Sequence, residues 1–146
     1  MKNHADLAEE LFMQGYSCAQ AVFCAFCDVT GYDLDTAAKT ASSFGGGMGR
    51  LREVCGAMSG ALLVLGIIKG YTKPEDTDGK SAHYALVQEF ARRFKEEHGS
   101  YICRELLANV ETTPGPVPEG RSAVYYAHRP CVKFVRTAAE ITDSLL

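Results

Sequence analysis

Apolar positions recur three and four residues apart along nearly the whole chain, and runs of strict alternation are few. That is the pattern of amphipathic helices, not of strands. The first predicted helix runs from an N-cap at Asn3 to Gln14, with Leu7, Leu11 and Phe12 on its apolar side and Gly15 as its stop. Ser17 followed by Gln20 spells a capping box, which starts a second helix at Cys18 that continues to Thr30, before Gly31. A short alanine-rich helix is expected over 33–42. The fourth, over 50–69, is apolar on almost every side (Val54, Met58, Leu62, Leu63, Val64, Leu65), the mark of a helix surrounded by others.

Residues 70–79, with Pro74, read as a surface connection. A long amphipathic helix then spans 81–98, with Leu86, Val87, Phe90, Ala91 and Phe94 inward and Arg92, Arg93, Lys95, Glu96 and Glu97 outward. Gly99 stops it, and Ser100 caps a short helix through Ala108. Three prolines make 112–120 the clearest loop in the chain. The last helix begins near Pro130, a residue suited to a first helical position, and runs to Ser144. The expected fold is all-α: a single-domain bundle of six to seven helices around the central apolar helix at 50–69, with no linker dividing it.

Composition narrows the function classes. The chain has 146 residues, 47% hydrophobic and 23% charged, which is enough to bury a core without help from disulfides or metals. A net charge of -3 argues against nucleic acid as the main partner, because phosphate binding relies on a clustered basic surface. No stretch reaches the roughly 18 apolar residues of a membrane span. The start, Met1 to Asp6, lacks the apolar core of a signal peptide, so a cytoplasmic location is the expectation.

A reducing compartment changes how the six cysteines read: as buried small residues, metal ligands or redox thiols rather than as a disulfide framework. Cys18 follows the Ser17 cap, and Cys55 lies in or near the first turn after the glycine loop. Cys103 lies three residues past Ser100, and Cys131 follows Pro130. All four sit at expected helix starts, where unpaired N–H groups and a partial positive charge favour thiolate. Thiolates attack disulfides and also ligate soft metals. Cys24 and Cys27 spell C-x-x-C in mid-helix, whereas reactive pairs of this kind open a helix after a strand, so they read as packing residues. His128 and His98 lie near Cys131 and Cys103 at spacings that match no metal signature, and read as surface or capping residues.

The stretch 45–60 surrounds Cys55 with glycine. It lacks the Lys-Ser or Lys-Thr of a phosphate loop, and Arg52 stands where a dinucleotide fingerprint needs a glycine. Nucleotide binding drops out. Gly56 and Gly60 read as close helix packing, and the glycines before Cys55 as access to its thiol. Arg50 and Arg52 could add positive charge there.

Cys18 within Gly15 to Val22, the run Cys55-Gly56-Ala57-Met58-Ser59-Gly60, Cys103 within Gly99 to Leu106, and Cys131 together resemble the C_GCAxxG_C_C family. These are small proteins described as redox-active and named for four cysteines and a Cys-Gly-Ala-x-x-Gly motif. The resemblance covers nearly the whole chain, leaves out Cys24 and Cys27, and implies a redox role.

Three readings follow. In the first, Cys18, Cys55, Cys103 and Cys131 converge for thiol–disulfide exchange or electron transfer with a protein or small-thiol partner, as in a thiol–disulfide oxidoreductase. Cys55 is the expected attacking thiol. In the second, the same four hold zinc or an iron–sulfur cluster, although metal sites usually include a close cysteine pair and these are tens of residues apart. In the third, the cysteines only pack within a structural bundle, monomeric or a homodimer.

Overall fold

The computed structural model describes residues 3–146. Among them the chain folds into nine α-helices with no strand: α1 (His4–Met13), α2 (Cys18–Ala25), α3 (Cys27–Thr30), α4 (Leu34–Ala41), α5 (Gly56–Lys69), α6 (Thr77–His98), α7 (Cys103–Leu106), α8 (Ala123–His128) and α9 (Cys131–Leu145). The all-helical expectation is met.

Local chemistry explains most of the starts. The Asn3 side chain accepts from the Asp6 N–H, and Ser17 and Gln20 form the reciprocal capping box. Asp76 accepts from the Gly79 N–H, so α6 begins at Thr77 rather than at Ser81. Two helices are additional to the expected set. The helix expected over 18–30 breaks at the fully buried Phe26 (φ -104°, ψ 22°) into α2 and α3. Ser122 caps α8, which lies between the loop expected over 112–120 and the last helix, where no element was expected.

The fourth helix begins at Gly56, not at Arg50. Gly46, Gly47, Met48, Gly49, Arg50 and Arg52 all have positive φ, which cannot continue a right-handed helix. Instead residues 53–55 run beside 101–103. Val54 and Ile102 form an antiparallel bridge, the Cys55 N–H donates to the Tyr101 carbonyl at 2.8 Å, and the Cys103 N–H donates to the Glu53 carbonyl at 2.6 Å. These bonds fix Cys55 next to the start of α7.

The core is shared by α2 and α5. Helix α2 buries Ala19, Ala21, Val22, Phe23 and Cys24, and packs on α1, α4, α5 and α9. Helix α5 buries its small-residue face and Val64 and Leu65, while Ile67 and Ile68 in its last turn are exposed. The two helices approach closely because glycine faces alanine. A side chain on Gly60 would fall onto the Ala19 carbonyl oxygen. Phe90 and Phe94 of α6 and Phe134 and Val135 of α9 complete the same hydrophobic cluster.

Candidate functional site

Cys18, Cys103 and Cys131 are the first residues of α2, α7 and α9, and Cys55 is the N-cap of α5. The sequence separates these four by tens of residues; the fold brings all of them to the wall of one cavity of about 70 Å³. Cys18 lies within electrostatic reach of each of the other three. Cys55 and Cys103 are buried, and Cys18 and Cys131 partly so. Phe12, Leu106, Leu107 and Phe134 supply the apolar part of the wall.

The close packing expected at Gly56 is met, and Gly47, one of the glycines expected to give access, is packed just as tightly. Gly47, at φ 72°, has no room for a Cβ, which would lie 2.7 Å from the Glu53 nitrogen and 2.8 Å from Cys103 Cβ. A Cβ on Gly56 would collide with Cys18 Sγ. Both residues are glycine because thiol-bearing segments press against them.

Burial also overturns the expectation of easily ionised thiols. It pushes the Cys55 thiol well above its ordinary value, with Cys18 and Cys131 adding to the shift, although the N–H groups of Ala57 and Met58 favour the thiolate. Cys131 is pushed up to about 12, first by burial and then by Cys18, against the pull of Arg129 and Arg121. Cys103 is raised by burial too, but Arg52 opposes the shift: its Nη1 lies 4.0 Å from Cys103 Sγ. At Cys55 the helix-start N–H groups favour the anion, and its desolvation outweighs them.

Three arginines, Arg52, Arg121 and Arg129, line the thiol cavity. Arg121 donates to the Phe12 and Tyr16 carbonyls at 3.0 and 3.1 Å and lies over the Phe12 ring, so it caps the end of α1 while facing the thiols. Arg129 pairs with Glu119 and lies over Tyr125. Arg50 donates to the Thr113, Gly115 and Val117 carbonyls and ties the proline-rich loop across the site. Arg121, Arg129, Tyr125 and Glu119 were not singled out by sequence. The cue was Arg129-Pro130-Cys131, a cation two residues from a motif cysteine.

Cys24 and Cys27 do not line the cavity. Burial raises both, Cys24 to about 11. His98 is engaged by Thr137 at 2.9 Å and packs on Phe94 and Phe134, and His128 is exposed. Neither histidine lines the thiol cavity. Among the described residues, no group of three or more His, Cys, Asp or Glu side chains is placed to hold a metal ion. No helix among them is long and apolar enough to cross a membrane.

The family model for C_GCAxxG_C_C, described as "Putative redox-active protein", matches residues 16–145. The chain belongs to this family. No curated protein matches it, and no solved structure does. In this member of the C_GCAxxG_C_C family, the four cysteines that carry the resemblance in the sequence, Cys18, Cys55, Cys103 and Cys131, are the four that wall the cavity, and the Cys-Gly-Ala-x-x-Gly run is the close-packed start of α5.

Proposed function

We propose that the protein carries out thiol–disulfide exchange at this cavity, with Cys103 as the attacking thiol and Cys18 as its resolving partner. The observation that carries the reading is the convergence of four thiols from four separate helix starts on one cavity. Cys103 is preferred to Cys55 because it alone of the two has a guanidinium beside its sulfur, and charge-assisted contact favours the attacking thiolate. Cys18 is preferred as partner because it interacts with each of the other three thiols. Cys55 and Cys131 are then the second pair, or a reserve that takes over the disulfide.

The test is a redox titration in dithiothreitol and glutathione buffers, with free thiols alkylated and disulfide-linked peptides identified by mass spectrometry. A reversible Cys18–Cys103 linkage is expected. If none of the four cysteines forms a disulfide at any potential, the reading is lost. The second reading, a cysteine-ligated zinc or iron–sulfur site, is favoured instead if protein prepared without oxygen carries stoichiometric zinc or iron.

A further inference from the structure

A second cleft, of about 440 Å³, opens beside the thiol cavity and shares Ser17, Gly46, Arg52, Arg121, Tyr125 and Arg129 with it. Its charged lining is Arg50, Arg52, Arg121 and Arg129 against Glu119 alone. Four cations and one anion leave a surplus of three positive charges around this cleft, in a chain whose net charge is -3. Arg121 donates to backbone carbonyls, which leaves its charge uncancelled, while Arg50, Arg52 and Arg129 share the single carboxylate of Glu119.

Arg52 carries the argument furthest. Its Nη2 is buried and has no hydrogen-bond partner; the nearest acid, Glu119 Oε1, stands off at 3.9 Å. Buried guanidinium N–H groups without partners are rare in native proteins and ask for an explanation. The backbone holds Arg52 at φ 61°, in the left-handed region that a side chain of this size seldom occupies. Strain of this kind collects where a side chain has to be aimed. One nitrogen of this guanidinium faces the Cys103 sulfur and the other is unpaired. A carboxylate accepting from Nη2 supplies the missing partner and leaves Nη1 on the sulfur.

We infer that the arginine-lined cleft is a subsite for the carboxylate of a small anionic disulfide whose sulfurs reach the thiol cavity. This inference rests on the thiol-exchange reading. The two buried thiols and the 70 Å³ cavity suit a small molecule better than the disulfide of a folded protein. In the reaction, the Cys103 thiolate attacks one sulfur of the small disulfide, breaks its S–S bond, and releases one small thiolate. Cys18 then attacks Cys103 Sγ in the mixed disulfide and releases the second. Two electrons pass from the protein sulfurs to the small molecule, and the two thiol protons of the protein go to the departing thiolates. The products are one protein disulfide and two small thiols.

Two measurements test the subsite separately from the chemistry. In the first, fully reduced folded protein is alkylated with iodoacetate or with iodoacetamide, and the rates at Cys18 and Cys103 are compared. Their ratio is normalised to that of the urea-denatured chain. A preference for iodoacetate on the order of tenfold is expected, because a cationic cleft concentrates anions. It should fall in high salt and in Arg52→Gln, and recover in part in Arg52→Lys. A normalised ratio of one or less overturns the subsite, and so does a failure of both reagents to reach any of the four thiols. In the second, the reduced protein is oxidised with 3,3′-dithiodipropionate, bis(2-hydroxyethyl) disulfide or cystamine. The anionic reagent should react fastest. Equal rates, or a faster cationic reagent, overturn the subsite while leaving thiol exchange standing; no oxidation by any of the three removes the exchange reading itself.

Discussion

Gly56→Ala and Gly66→Ala make the same change in the same helix and should have opposite effects. Nothing lies within 4 Å of a Cβ built at Gly66, which is exposed in the third turn of α5. Alanine there gains about 0.5–1 kcal/mol by reducing the backbone entropy lost on folding. At Gly56 the same methyl collides with Cys18 Sγ, lies 2.9 Å from the Phe44 carbonyl oxygen and 3.2 Å from the Ala19 nitrogen. Two of these neighbours are backbone, so rotation of one side chain cannot clear the space. Overpacking of this kind costs about 1–3 kcal/mol. The backbone gain at a first helical residue offsets only part of it, leaving a net loss of about 1–2 kcal/mol. For a chain of this size 1 kcal/mol moves Tm by about 3–4 °C, so Gly66→Ala should melt about 2–4 °C above the parent and Gly56→Ala about 3–8 °C below it. Urea and thermal unfolding of the reduced proteins, followed by circular dichroism, gives the comparison. If the two variants melt alike, close approach is not the reason for glycine at the start of α5, and the packing account of this motif fails.

Alkaline conditions should unfold the protein through its thiols. Cys24 and Cys131 are raised to about 11 and about 12 from an ordinary value of 9.0. Their contribution is fully present below pH 9.0, where the thiols are neutral whether folded or not, and is lost as the pH rises towards those folded values. Urea midpoints should fall between pH 9 and 11, and less steeply in Cys24→Ala than in the parent; an unchanged midpoint would contradict the burial argument. His4 works at lower pH. Burial lowers it, but hydrogen bonds to Asp28 at 2.9 Å and Asp143 at 2.7 Å outweigh this, so its value is raised. The charged clamp joins the starts of α1 and α3 to the end of α9. Its stabilisation is complete below the ordinary value of 6.5 and is lost as the pH rises through the raised folded value. The stability of the parent relative to His4→Gln should therefore be larger at pH 5.5 than at pH 8.5; an equal difference at both would refute the clamp.

Features that depend on a few neighbouring residues were legible in the sequence. Asn3 and the Ser17–Gln20 box start their helices where expected, because capping is a contact across three residues. Gly31 and Gly99 end theirs with left-handed backbone for an equally local reason. The placement of four cysteines at helix starts was readable in the same way. Two local readings failed where long-range contacts override propensity. Residues 50–55 have helical sequence but are held by bonds to 101–103, and the helix over 18–30 breaks where Phe26 is fully buried.

By itself, then, the sequence determined that this is an all-helical protein of the four-cysteine family, with its motif cysteines in or near the first turns of helices, since helix periodicity, caps and motif spelling are all carried by the order of residues. Only the tertiary structure decided that the four thiols share a cavity and that burial raises Cys55, Cys103 and Cys131 above their ordinary value. It also decided that Gly47 is there for contact and that Arg121 and Arg129 join Arg52 at the site. Desolvation and charge–charge energies depend on what surrounds an atom in space, and at this site the surroundings come from segments as far apart in sequence as Phe12 and Phe134.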